Sequence, residues 1–111
     1  MENINGLQQY TDLVNGKKPV VLFFSADWCS DCRFIDTFFD GIIEDYEAKF
    51  DFYKVNPDSQ KEICEKANVM GIPSFVAYQD GRVIAEFISN SGKTKAEIEN
   101  FLRTAEVKVI S

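Results

Sequence analysis

The chain has 111 residues, a length that fits a single domain spanning residues 1–111 with its own buried core. Apolar residues make up 45% of it and ten are phenylalanines, which excludes a disordered chain. The net charge of −6 argues against nucleic-acid binding through a basic face. Histidine is absent, which removes Ser-His and Cys-His nucleophile pairs and every zinc site that needs histidine.

Neither a membrane segment nor an export signal is expected. No apolar run approaches the roughly 18 residues needed to span a bilayer, and the first five residues lack a basic region followed by an apolar stretch. We therefore expect a cytoplasmic protein that does not bind membranes. A reducing cytosol keeps structural disulfides open, so a working redox pair explains the three cysteines better than a disulfide framework.

The first half of the chain predicts a helix, a buried strand and a long amphipathic helix. Asn5 and Gln8 resemble a capping pair, and Asn15-Gly16 ends the helix that follows. The apolar run from Pro19 to Ser25 predicts a central strand covered on both faces. Apolar residues then recur at helical spacing and predict a wide buried helix face, formed by Phe34, Ile35, Phe38, Phe39, Ile42, Ile43 and Tyr46.

The second half predicts a strand, a polar helix and a hairpin. Residues 51–56 are predicted to form a strand, and a right-handed crossover would place it parallel to the central strand. Asn56-Pro57 then opens a polar helix that runs to Ala67, with Ser59 and Glu62 as a further capping pair. Two apolar runs separated by Asp80-Gly81 predict an antiparallel hairpin.

A last helix completes the predicted fold. Thr94 with Glu97 marks its start, and its buried face is expected to contain Ile98, Phe101, Leu102 and Ala105. The element order indicates an α/β protein with a central mixed sheet of four or five strands and helices on both faces.

Two cysteines separated by two residues lie where the central strand gives way to the long helix. The start of a helix presents free backbone N–H groups and the positive end of its dipole, which favours a thiolate and makes Cys29 the attacking sulfur. Cys32 follows one turn later on the same helix face, near enough to close a ring with Cys29. We interpret the pair as a reversible dithiol/disulfide couple. The alternatives are half of a metal site or two buried apolar residues. The metal site is disfavoured because it needs another close pair of ligands and only Cys64 is left.

The order of elements, with Trp28-Cys29-Ser30-Asp31-Cys32 and a later Gly71-Ile72-Pro73-Ser74, resembles the thioredoxin family across essentially the whole chain. A lone CxxC is weak support. A CxxC motif preceded by Trp and followed by a Gly-Ile-Pro loop and an Asp-Gly hairpin is strong support for the resemblance to this family. The resemblance implies a protein-disulfide reductase in which Cys29 is the exposed nucleophile and Cys32 the buried resolving thiol.

The resemblance also implies how substrates and electrons reach the pair. Pro73 would follow a cis peptide bond and leave the backbone of Ile72 free to pair with an extended substrate segment. Trp28, Ile72 and Pro73 would form an apolar platform around the attacked sulfur. The partners would be disulfide-containing proteins and a flavin-dependent thioredoxin reductase. We expect a monomer that itself binds no cofactor and no metal.

Several positions depart from the family pattern. Ser30-Asp31 replaces the usual Gly-Pro, and the Asp31 carboxylate opposes a thiolate on Cys29 while gaining from the helix dipole, so the net effect stays open. Asp27, Ser30 and Asp31 are therefore candidates for modulating the pair. A role for the two acids as plain helix-start residues is equally open.

Further departures lie behind the pair. Phe23 stands where the family buries an aspartate, and Lys54, which matches that acid's usual partner, is interpreted as a surface charge. The proton of Cys32 would then leave through water or a substrate thiolate. Thr37 replaces a kinking proline, which predicts a straighter helix. Cys64 is interpreted as a packing residue.

Two other functions remain alternatives. A specialised relative could serve few partners because of Asp31 and Phe23. A non-turnover binding module could use the groove between Trp28 and Pro73, although the intact cysteine pair weighs against it. Trp28, next to two acids, is expected on a wet rim rather than in the core.

Overall fold

The structure is a computed structural model that describes residues 1–110 of the chain. It contains five strands and four helices within that range. In chain order they are β1 (Glu2–Asn3), α1 (Leu7–Val14), β2 (Val20–Phe24), α2 (Ser30–Tyr46), β3 (Asp51–Val55), α3 (Lys61–Ala67), β4 (Ser74–Gln79), β5 (Arg82–Phe87) and α4 (Lys95–Val107). None of the helices in residues 1–110 is both long and apolar enough to cross a membrane.

The strands form one mixed sheet in the order β1-β3-β2-β4-β5. Strand β2 is central: it pairs parallel with β3 and antiparallel with β4, and all five of its residues are buried. The hairpin of β4 and β5 is antiparallel. The predicted mixed sheet and its central strand are therefore confirmed.

The helices cover both faces of the sheet because successive side chains of β2 point to opposite sides. Val21 and Phe23 lie in a core with buried residues of α2 and α4. Leu22 and Phe24 lie in a second core with buried residues of α1 and α3. This two-core arrangement requires a strand that is apolar at every position, which is the pattern the sequence shows.

Two local predictions are confirmed in detail. Asp80 and Gly81 have φ of 52° and 78°, the left-handed conformations that a two-residue hairpin turn requires. Helix α4 begins with a capping box: the Glu97 N–H donates to the Thr94 hydroxyl, and the Thr94 N–H donates to the Glu97 carboxylate. The four residues expected on the buried face of α4 are all buried.

Two predicted helix starts are wrong. Gly6 precedes α1, and the Asn5 N–H donates to the side-chain oxygen of Gln9 at 2.7 Å rather than making a cap with Gln8. Helix α3 begins at Lys61, because the Asn56 side chain accepts the Asp58 N–H at 2.9 Å and closes a local turn before any helix starts.

The prediction that Phe34, Phe38 and Phe39 all lie in the core is also wrong. Phe39 is buried, Phe38 is half-buried, and Phe34 is 58% exposed. The buried stripe of α2 runs through Cys32, Ile35, Phe39 and Ile42, and Phe34 lies off it, with its ring edge against Phe38. The spacing of the apolar residues alone therefore predicted a buried face wider than the one observed.

Gly41 lies inside α2, and a Cβ built there meets no atom within 4 Å. We expect Gly41→Ala to raise the free energy of unfolding by about 1 kcal/mol, because alanine is the better helix former. Urea denaturation measures this. The matched control is Gly81→Ala, which should lower stability since φ is +78° and the new Cβ would lie 2.8 Å from the Asn15 side-chain oxygen. A loss of stability in Gly41→Ala would contradict the packing described for α2.

Candidate active site

The cysteine pair and the proline loop meet at one end of the sheet because of the β2–β4 register. The last residue of β2, Phe24, lies opposite Ser74, the first residue of β4. Cys29 follows β2 and Pro73 precedes β4, so the antiparallel pairing brings the two connecting segments together. The peptide bond between Ile72 and Pro73 is cis.

Cys29 caps the N-terminus of α2. Its backbone is extended, and its Sγ accepts the backbone N–H of Cys32 at 3.2 Å. A donated N–H and the positive end of the helix dipole both stabilise negative charge on this sulfur. The predicted strand-to-helix position of the pair is therefore the observed one. Both cysteines are free thiols in the structure.

The two sulfurs differ in environment. Cys32 is fully buried, and burial, followed by its hydrogen bond with Cys29, raises the pKa of the Cys32 thiol to about 11. Cys32 is therefore a protonated thiol at neutral pH. The expectation that Cys29 is exposed is wrong for the residue as a whole, since only 8% of it is accessible. Cys29 lines a groove together with Ile72 of the proline loop.

That groove has a volume of about 400 Å³ and is mainly apolar. Its lining consists of Trp28, Cys29, Pro57, Asp58, Cys64, Val69, Met70, Gly71, Ile72 and Asn90. Trp28 is 65% exposed on the rim, as expected, and its indole N–H donates to the Asp58 carboxylate at 2.7 Å. This bond holds the ring beside Cys29. Asp58 had no sequence signal, because it lies thirty positions from Trp28 in a turn.

The other candidate site residues differ in whether they line this groove. Ile72 lines the groove, whereas Pro73 is buried and lies outside its lining. Ser30 and Asp31 are exposed in the first turn of α2. Asp27 is exposed too, but it lines a separate polar pocket. The structure thus brings Trp28, Cys29 and Ile72 into one cavity and leaves the three modulating candidates around it.

Phe23 fills the space behind the pair. Its ring is fully buried and stacks on Phe75 with a centroid distance of 4.6 Å. Lys54 is not the plain surface charge expected: its Nζ lies 3.1 Å from the Asp36 carboxylate and 5.6 Å from the centre of the Phe23 ring. Asp36 belongs to α2, eighteen positions before Lys54, so the periodicity of neither element shows this contact.

A second lysine was missed by the sequence reasoning. Lys93, in the loop before α4, is only 3% exposed, and its ammonium group donates to the carbonyl of Pro73. It lies in a polar run, Ser89 to Lys95, which reads as an ordinary surface loop. Within residues 1–110, no cluster of three or more Cys, Asp or Glu side chains is arranged to hold a metal ion.

Comparison with known proteins places this geometry in a family. The family model described as Thioredoxin matches residues 4–104. A thioredoxin of Coprinus comatus is 35% identical over 86 residues, covering 77% of this chain and 81% of the relative. A thioredoxin of Malassezia sympodialis is 33% identical over 82 residues, covering 73% and 78%.

Solved structures agree with the sequence comparison. The crystal structure of Malassezia sympodialis thioredoxin superimposes with a TM-score of 0.80 at 26% identity, covering 94% of this chain and 90% of that one. Plasmodium falciparum thioredoxin gives a TM-score of 0.82 at 22% identity over 93% and 97%, which shows the shared fold. The chain belongs to the thioredoxin family, and it is a thiol-disulfide oxidoreductase of the protein-disulfide reductase type.

The raised pKa of Cys32 predicts a pH dependence of stability. Between the ordinary thiol value of 9.0 and about 11, the unfolded chain loses this proton while the folded chain keeps it. The unfolded state then binds fewer protons, so the free energy of unfolding falls as pH rises through this range. Denaturation series of the reduced protein and of Cys32→Ala measure it. The variant should lose less stability over the range; an equal loss in both proteins would contradict the raised value.

Proposed function

We propose that Cys29 attacks disulfides of target proteins and that Cys32 resolves the product. The observation that carries the proposal is the asymmetry of the pair. The Cys29 sulfur accepts a helix N–H and faces the groove, whereas Cys32 is fully buried behind it. A sulfur that attacks must be both ionised and reachable by the substrate.

The reaction has two exchanges. The Cys29 thiolate attacks one sulfur of the target disulfide, forms a mixed disulfide and releases the other target sulfur as a thiolate. Cys32 then loses its proton and attacks the Cys29 sulfur, which closes the Cys29–Cys32 disulfide and releases the second target thiolate. Two electrons pass to the target, and its two thiolates take up protons. The Cys32 proton leaves through water or to a released thiolate, because Phe23 offers no acceptor.

The groove supports an extended peptide as the substrate segment. Its apolar lining suits side chains next to the attacked sulfur, and the backbone of Ile72 offers main-chain hydrogen bonds. Ile72, Pro73 and Trp28 are the substrate-binding residues of the proposal. Asp27, Ser30 and Asp31 modulate the pair through charge and helix-start contacts rather than by touching the substrate.

Repeated turnover needs a source of two electrons. We infer that a flavin-dependent thioredoxin reductase reduces the Cys29–Cys32 disulfide, and that the protein works as a cytoplasmic monomer carrying no cofactor of its own. The chain has 18 acidic and 12 basic residues and a net charge of −6, which supports a protein partner rather than a nucleic acid.

A specialised member that serves few targets is the second candidate. The Ser30-Asp31 dipeptide and the buried Phe23 favour it, because one adds a negative charge beside the pair and the other removes a proton acceptor from behind it. Slower resolution would restrict the protein to targets that bind the groove well.

Substitution of the cysteines tests the proposal. With dithiothreitol as electron donor, the wild-type protein should reduce insulin disulfides and Cys29→Ser should not. Cys32→Ser should accumulate mixed disulfides bonded to Cys29, because the resolving thiol is gone.

Cys64→Ser is the matched control and should behave as the wild type. Trapping by Cys29→Ser instead of Cys32→Ser would reverse the two roles. A failure of the wild type to reduce insulin would overturn the proposed turnover. If Cys32→Ser traps many different targets, the general reductase is favoured. If it traps only one or two, the specialised member is favoured.

A further inference from the structure

Lys93 is a lysine buried at the edge of the active site. All three protons of an ammonium group have acceptors there: the Pro73 carbonyl, the Ser89 hydroxyl at 2.8 Å and the Ser91 carbonyl at 3.1 Å. The Nζ also lies 4.8 Å from the centre of the Phe87 ring. Each of these acceptors favours the protonated form of the lysine.

The loop that carries Lys93 touches both halves of the site. A Cβ added to Gly71 would lie 2.8 Å from the Asn90 side chain, and one added to Gly92 would lie 3.0 Å from the Asp31 carboxylate. The Ser74 hydroxyl lies within hydrogen-bond distance of the carbonyls of Gly71 (2.7 Å) and Ser89 (3.0 Å). The loop therefore packs against the proline loop and against the first turn of α2.

The charged and ionisable groups around Lys93 come from two helices. Asp31 and Cys32 belong to α2, Cys29 is the cap residue of that helix, and Glu97 belongs to α4. Burial lowers the pKa of Lys93, and these four neighbours act against that lowering, Cys32 most strongly. Val21 and Phe23, which β2 contributes to the core with α2 and α4, carry no charge. Lys93 therefore lies close enough to Asp31 and the cysteine pair to interact with them electrostatically.

We propose that Lys93 is a positioning residue for the disulfide exchange, holding the Pro73 carbonyl and favouring the thiolate forms of the cysteine pair against the negative charge of Asp31. The inference rests on the proposed function. Lys93 neither donates nor accepts a proton in the reaction. When Cys32 ionises, its proton still leaves through water or to a released target thiolate, and the fixed positive charge stabilises the thiolate left behind.

The test compares Lys93→Met with Lys93→Arg and Lys95→Met. Methionine keeps most of the length of lysine without its charge, arginine keeps the charge, and Lys95→Met removes an exposed lysine two positions away. The measurement is the rate of iodoacetamide alkylation of the reduced protein against pH, with the modified cysteine identified by mass spectrometry. We expect the pH midpoint to rise by about one unit in Lys93→Met, a tenfold smaller thiolate fraction at neutral pH. Lys93→Arg and Lys95→Met should stay near the wild type.

A second measurement uses the wild-type chain and does not depend on how Lys93→Met folds. The side-chain Cε resonance of Lys93 in the reduced protein should move over the same pH range as the alkylation. An unmoved resonance, or an unshifted midpoint in folded Lys93→Met, would overturn the inference. Equal shifts in Lys93→Met and Lys93→Arg would also overturn the inference, because packing rather than charge would then be responsible. If the wild type failed to reduce insulin while the midpoints shifted as expected, the proposed turnover would fail and the effect of Lys93 would stand.

Discussion

The hydrogen bond from the Cys32 backbone N–H to the Cys29 sulfur is the contact on which the site depends. It exists because β2 ends at Phe24 and α2 begins at Ser30, so the first cysteine falls at the helix cap and the second in its first turn. The same geometry places one sulfur at the groove and the other in the core. A cap residue without sulfur would keep the helix but lose the chemistry.

A second constraint is the junction between the proline loop and the loop before α4. Gly71 has no room for a side chain because Asn90 lies against it, and the ammonium group of Lys93 fixes the carbonyl of Pro73. These contacts hold the backbone of Ile72 beside Cys29. The β4–β5 pairing, which places Phe87 opposite Phe75, brings the loop before α4 to the end of the sheet where the β2–β4 pairing places Cys29 beside the proline loop.

The sequence predicts this fold where the local signal is strong, whereas the weaker capping signals at Asn5 and Asn56 misplace the starts of α1 and α3. The unbroken apolar run of β2, the Asp80-Gly81 turn and the Thr94–Glu97 cap each specify their own geometry within a few residues. Prediction fails where a partner comes from a distant segment. Lys54 on β3 pairs with Asp36 on α2. The acceptors of Lys93 are mostly backbone carbonyls, which every residue type carries, so the sequence does not identify them.

The structure of a trapped complex is the most direct test of the central claim. Cys32→Ser joined to a target peptide through a mixed disulfide can be crystallised. The account predicts a bond to the Cys29 sulfur, with the peptide extended in the groove between Trp28 and Ile72 and hydrogen-bonded to the Ile72 backbone. A peptide bonded to Cys64, or one bonded to Cys29 but lying outside that groove, would contradict it.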